Sequence, residues 1–399
     1  MSKRNFRIRG SLGATSPTLS ISGPGSLLSL ERKQRVTPGR ARDGVTEEFT
    51  VDADEVVRVE LENGFVLWSR ADALVREHGH RSLSRDGGDA WEFETLAPVS
   101  VIAQRGERGV VGLGIRVLDF FGVRAEEKVA IKLAHWFEDR QLSKRKPGLY
   151  AVALDGHFAL SALDEFQPSS DTGPLLILLH GTASSTEGSF GKLWAADNAS
   201  AKEAIRRLEA SYGGRAFAFE HRSLTESPVA NALDLVRQLP IGAELHLLSH
   251  SRGGLIGELL CLGQCEDLHT KLSEETLNKL FAADRTISEQ LGLLPLSPAE
   301  ARERDAAYGT DRKSLAELLK LLDEKSIRVT RFVRAACPAR GTTLASGRLD
   351  RWLSILDFLA GRALGASLFG DTLEFLLAIV KERTDPRTLP GLEAMMPGS

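Results

Sequence analysis

Apolar and polar positions begin to alternate with a period of two at about Glu47. FTVDA, VVRVEL and FVLWS follow one another through residue 69, with Glu62-Asn63-Gly64 between the last two. Successive side chains of a strand point to opposite faces, so this alternation predicts half-buried strands, and Asn-Gly is a favoured hairpin turn. Residues 98–104 and 110–117 read as further strands or short apolar segments. Between Ala125 and Leu142 the spacing changes: AEEKVAIKLAHWFEDRQL repeats its apolar residues at helical intervals and predicts an amphipathic helix. Residues 1–48 are rich in Gly, Ser, Thr, Pro and Arg and are expected to be irregular. The N-terminal side is thus an irregular segment, 1–48, followed by a small α+β module, 49–144, suited to packing or partner contact.

Lys146-Pro147-Gly148 marks a change of character. LYAVAL, Asp155-Gly156 and HFALSAL predict a second hairpin. LLILL, from Leu175, is a continuous apolar run of the kind found in a strand covered on both faces. A helix pattern (ASAKEAIRRLEASYG), a strand (AFAFEH), a helix (VANALDLVRQL), a strand (ELHLLSH) and, later, a strand (IRVTRFVRAA) follow. Such alternation implies an α/β fold over 145–399, a mostly parallel sheet with helices on both faces. Residues 264–325 are charged with helical periodicity and read as an insertion beside or over the site, of lid length or a solvated face. RLDRWLSILDFL and DTLEFLLAIV, within 348–382, read as apolar helices that would fill a core or line an acyl groove.

Across 399 residues, 42% are hydrophobic and 26% charged, which is ordinary for a globular chain. The formal net charge of -3 offers no basic surface for nucleic acid. No apolar run reaches the roughly 20 residues of a membrane-spanning helix, and MSKRNFRIRGSLGATS lacks the apolar centre of a secretory signal. Three cysteines, Cys261, Cys265 and Cys337, fit a reducing, cytoplasmic setting better than a disulfide framework. Cys261, Cys265 and His269 have helical spacing, but ligands so placed on one straight helix span about 12 Å and cannot converge on an ion, so buried cysteines are expected. His78 and His80 lack further ligands nearby, and GVVGLG lacks the third glycine of a dinucleotide fingerprint. No metal or organic cofactor is implied.

The strongest chemical signal is ELHLLSHSRGGLIGELL, Glu244 to Leu260. It reads as strand, sharp turn, helix, with Ser251 at the tip. Strand and helix nearly touch at such a turn, so the positions two before and two after the serine must be small; Ser249 and Gly253 qualify. The turn would hold Ser251 proud of the sheet edge, with the Arg252 N–H at a helix start where it can stabilise an oxyanion. The plainer alternative is a tight turn with an incidental serine.

Two other stretches agree with it: Leu179-His180-Gly181-Thr182 at a strand end, and Cys337-Pro338-Ala339-Arg340-Gly341-Thr342-Thr343-Leu344-Ala345 after the next strand. In this order they resemble the α/β-hydrolase superfamily in its lipase/esterase-like branch, over about 145–395. The resemblance implies Ser251 as nucleophile and backbone N–H groups of Arg252 and of Thr182, or its neighbour Gly181, as the oxyanion hole. It implies His180 as a loop-positioning histidine, and Ser249, His250 and Gly253 as elbow residues, with His250 pointing away from the nucleophile. The chain also resembles the hydrolase-like segment of some large bacterial proteins carrying a CHAT (caspase-like) peptidase domain, although no Cys–His pair for such a peptidase is recognisable.

One departure matters. In that fold the acid and the histidine follow the serine in chain order. Here the last histidine is His269, and GLEAMMPGS arrives about where the last two strands would begin, so the fold is expected to be truncated on its C-terminal side. Losing the base costs roughly 10⁴ to 10⁶ in rate. Four readings follow: a fragment whose acid and base lie beyond Ser399; His221, just past a strand end, as substitute base; a base supplied by a protein partner or further domains; or an inactive binding or scaffold module that keeps the hydrolase shape. The expected substrate is a small-molecule or lipid ester or related acyl compound.

Overall fold

The computed structural model describes residues 3–12, 28–38, 46–52, 55–62, 66–78, 80–83, 89–92, 95–96, 113–125, 129–142, 145–154, 158–163, 173–194, 199–265, 273, 275, 298–337 and 389–395. The described residues fall into two compact units, one up to Leu133 and one from Ala134 onward.

The first unit contains β1 (Lys3–Leu12), β2 (Leu28–Pro38), β3 (Thr46–Asp52), β4 (Val56–Leu61), β5 (Val66–Arg70), α1 (Ala71–His78), β6 (His80–Leu83), β7 (Asp89–Glu92), β8 (Thr95–Leu96) and β9 (Leu113–Ala125). They form a nine-stranded sheet in the order β5-β4-β9-β2-β1-β7-β6, with β3 on β1 and β8 on β9. The expected VVRVEL–FVLWS hairpin is present as the antiparallel β4–β5 pair; its turn at 63–65 lies outside the described residues. Residues 1–48 are not irregular throughout, because β1 and β2 lie there. Phe6 and Ile8 alternate with Arg7 and Arg9 in β1, but the basic side chains and the Gly/Pro-rich flanks hide that short period. Val36, Val57, Val59, Leu74, Leu118 and Phe120 build this unit's core. Buried Asp119 accepts from Arg35 Nε at 2.6 Å and Nη2 at 3.0 Å, a two-point ion pair.

The division falls within α2 (Val129–Gln141), ahead of the boundary expected at 144. Glu138 explains the shift: its carboxylate accepts from Leu224 N–H and from the Thr225 hydroxyl, both at 2.5 Å, which ties the end of the helix to the second unit.

The second unit continues with β10 (Gly148–Ala153), β11 (Ala159–Ala162), β12 (Leu175–Leu179), α3 (Thr186–Phe190), α4 (Ala199–Tyr212), β13 (Ala216–Glu220) and α5 (Pro228–Gln238). β14 (Glu244–His250), α6 (Gly253–Cys261), α7 (Pro298–Glu324), β15 (Arg328–Ala335) and α8 (Pro390–Glu393) complete it. Its sheet order is β11-β10-β13-β12-β14-β15. β13, β12, β14 and β15 run parallel, and the β10–β11 hairpin is antiparallel. This is an α/β arrangement with a mixed, mostly parallel sheet.

The LLILL run is explained by burial on both faces. Leu175, Ile177 and Leu179 pack with α5, α6 and α7, whereas Leu176 and Leu178 pack with Tyr212 and Leu208 of α4 and Phe190 of α3. β13 divides its faces by size: Phe217 and Phe219 fill the first, Ala216 and Ala218 leave room on the second. Helices leaving β12 and β14 therefore cover opposite faces, which makes the C-terminal ends of these neighbouring strands a topological switch point, where open α/β sheets place their ligands.

Two expectations need correction. Part of the 264–325 stretch belongs to the core: α7 has an exposed, charged face but buries Leu315, Leu318, Leu319 and Leu322 in the main core and leads into β15, whereas residues 266–272, 274 and 276–297 lie outside the described residues. The Cys261–Cys265 spacing is not carried by one helix. α6 ends at Cys261 and a 3-10 turn follows at Leu262–Gln264, which leaves Cys261 half-buried and Cys265 exposed rather than buried. His269, residues 98–104, the 338–345 motif and the apolar stretches within 348–382 lie outside the described residues. No helix among the described residues is long and apolar enough to cross a membrane.

Candidate active site

Ser251 occupies the turn between β14 and α6 with φ 52, a left-handed conformation that costs a non-glycine residue roughly 1 kcal/mol or more. The strain is held from both sides: Ser251 N–H donates to the Ala335 carbonyl at 2.9 Å, and its own carbonyl accepts from Gly254 N–H at 3.0 Å. Ala183, beyond β12, and Ala336, beyond β15, also have positive φ, 48 and 53. Three strained residues thus stand at the same ends of neighbouring parallel strands.

The small residues follow from close approach. A Cβ on Gly253 would lie 2.4 Å from the Leu179 carbonyl oxygen and 2.6 Å from that of His180, so only glycine lets α6 begin against the end of β12. A Cβ on Gly254 would meet that of Cys337 at 2.5 Å. Ser249 is buried, with Oγ 3.2 Å from Cys337 Sγ. Gly181 lies against Ser251 and His250.

His180 is fully buried, and its hydrogen bonds fix its tautomer. Nε2 accepts from His221 N–H at 3.1 Å, so Nδ1 carries the proton and donates to the Gly181 carbonyl at 2.9 Å. Burial holds its pKa below the usual histidine value, which keeps it neutral. Both ring nitrogens are thus engaged, and the Nδ1–H bond holds the Gly181 carbonyl. Gly181 N–H is also engaged, donating to Ser189 Oγ at 3.2 Å, and Ala183 N–H donates to Ser223 Oγ at 2.8 Å. Among the described residues the N–H groups of Thr182 and Arg252 have no acceptor. Of the three expected oxyanion donors, these two are available and Gly181 is not.

His221 stacks on His180, centroids 3.8 Å apart, and donates from Nδ1 to the Phe219 carbonyl at 3.0 Å. Its Nε2 is buried without a hydrogen-bond partner among the described residues. Burial first, then nearby His180 and Arg252, push its pKa well down. It makes no hydrogen bond to Ser251, so the structure joins it to His180 rather than to the serine. His250 is half-buried, and its Nδ1 has no hydrogen-bond partner among the described residues.

Arg252 points its side chain inward and is wholly buried. It donates to the Glu226 carbonyl at 2.6 Å, Asn231 Oδ1 at 3.0 Å and the Gly391 carbonyl at 3.2 Å. Burial lowers its pKa to about 10, so it stays charged at neutral pH.

No motif marks Ser189, Ser223, Asn231 or the Leu389–Met395 segment. The hydroxyl-rich TASSTEGS loop was a usable signal for Ser189; nothing local marked Gly391. A family model described as a domain of unknown function (DUF7379) matches residues 144–280, which hold β10 to α6 and with them Ser251 and the His180–Thr182 strand end. No curated protein and no solved structure matches the chain.

Proposed function

We propose that the second unit is an α/β-hydrolase-like domain that cleaves a carboxylic ester or related acyl bond through an acyl-Ser251 intermediate. The observation that carries this reading is the pairing of a strained, turn-borne Ser251 with two unengaged amides, of Thr182 and Arg252, at a sheet switch point. Ser251 Oγ would attack the acyl carbon, and the oxyanion would take the two N–H groups. The motif resemblance supports the same assignment. The base is supplied by His221 after rearrangement, by a partner or by further polypeptide; no imidazole is hydrogen-bonded to Ser251 among the described residues.

That missing bond favours one second reading, an inactive binding or scaffold module retaining the hydrolase shape. A fluorophosphonate probe separates the two. Labelling that maps to Ser251 and disappears in Ser251→Ala supports the hydrolase. Absence of labelling, both alone and with added partner or longer polypeptide, supports the module.

A further inference from the structure

The residues that carry the two unengaged amides are both held by one short segment, Leu389–Met395. The Thr182 hydroxyl donates to Met395 Sδ at 3.0 Å, and Arg252 Nε donates to the Gly391 carbonyl at 3.2 Å. The segment is anchored independently. Gly391 N–H donates to the Leu224 carbonyl at 3.0 Å, and Tyr308 OH donates to Glu393 Oε1 at 2.5 Å. Leu389 and Met395 are buried. Gly391 presses on the loop after β13 so closely that a Cβ there would lie 2.1 Å from the Ser223 carbonyl oxygen and 2.8 Å from that of Leu224. The same Ser223 holds Ala183 N–H, one residue beyond Thr182.

We infer that Leu389–Met395 is a strap that sets the position of the Thr182 and Arg252 amides, with Gly391 and Met395 as positioning residues for the oxyanion site. The inference rests on the Ser251 reading above. An amide pair stabilises a developing oxyanion only if both donors stand at hydrogen-bond distance from where that oxygen will be, and two loops from different strands have no backbone bond of their own to fix that spacing. One segment touching both side chains supplies it. Such a strap acts in the reaction step and not in the initial capture of the probe.

The test is the kinetics of fluorophosphonate labelling on the full chain, separating the limiting rate from the half-saturating concentration. Gly391→Ala, which forces the strap off the Ser223 carbonyl, is expected to lower the limiting rate ten-fold or more and to change half-saturation less than two-fold. Met395→Leu, which keeps the side-chain size and removes the acceptor, is expected to lower it two- to five-fold. Thr182→Val should match Met395→Leu, and Thr182→Ser should restore the rate. If Gly391→Ala does not fold, the Met395 and Thr182 variants decide. Unchanged limiting rates, or a rise in half-saturation alone, with Ser251 still labelled, overturn the strap and leave the hydrolase reading intact. A wild-type chain that is not labelled at all, even with added partner or longer polypeptide, overturns both.

Discussion

A Cβ at Gly181 would stand 3.0 Å from the Cβ of Ser251 and 3.0 Å from His250 Nδ1. The glycine at the end of β12 is therefore the floor on which the serine turn rests. Alanine fits there only if its neighbours give by a few tenths of an ångström. We expect Gly181→Ala to cost about 1–2 kcal/mol in stability, within the range for mild overpacking. On the proposed acyl-Ser251 reading, fluorophosphonate labelling of Ser251 should fall at least ten-fold, because a displaced serine would no longer meet the Thr182 and Arg252 amides. A folded Gly181→Ala protein labelled at the wild-type rate would show that this contact does not align the proposed nucleophile.

Gly253 has less room. Its missing side chain would collide with two backbone carbonyls of the β12 end, at 2.4 and 2.6 Å, and backbone cannot rotate aside as a side chain can. Gly253→Ala is expected to destabilise the second unit by about 3 kcal/mol, read as a lowered urea midpoint. A midpoint within experimental error of wild type would contradict the close approach of α6 to β12.

Gly253 and Gly181 also show what was legible in the sequence. The strand–turn–helix around Ser251 and the alternation of strands and helices from Leu149 to His250 depend on local period and on small residues at fixed offsets, and the structure has them. Other features turn on contacts between distant parts of the chain. Cys265 is exposed because the chain leaves the helix after Cys261. α7 joins the core through four leucines that a charge-rich stretch concealed. β1 alternates Phe6 and Ile8 with arginine, β2 carries an unbroken polar run from Glu31 to Arg35, and both look like an unstructured, charged segment. Gly391 touches Ser223 across 168 positions, a separation no motif could bridge.

Arg252 has three acceptors, the Glu226 and Gly391 carbonyls and Asn231 Oδ1, and each takes a separate nitrogen of the guanidinium. A lysine brings one ammonium to three points that belong to a planar fork. Arg252→Lys is expected to cost about 2–3 kcal/mol by chemical denaturation, and Arg252→Met somewhat more, because it strands the buried acceptors. Near-wild-type stability of Arg252→Lys would mean that the three bonds are replaceable.

Glu226 gives the second unit a pH dependence of unusual sign. Burial, then the charges of Asp234 and Glu138, raise its pKa from 4.5 to about 7. The folded chain keeps a proton there that the unfolded chain has already released, so the folded state binds more protons between these values and stability falls as pH rises from 4.5 to 7. A fully sealed group would contribute about 3 kcal/mol by this linkage. The side chain is 33% exposed, and solvent screening reduces the expected figure to about 1 kcal/mol. Glu226→Gln keeps an acceptor for Asn231 Nδ2 and removes the titration, so it should be more stable than wild type above pH 7 and equal to it near pH 4.5. His180 and His221 act in the opposite direction. Their lowered pKa values mean that the unfolded chain takes up protons first, so their contribution is lost as pH falls below about 6.5. In Glu226→Gln that histidine slope should stand unopposed, visible as a steeper loss of denaturation midpoint between pH 6.5 and 5 than in wild type. Parallel pH profiles for the two proteins would place the Glu226 carboxylate in water, outside the network beneath Arg252.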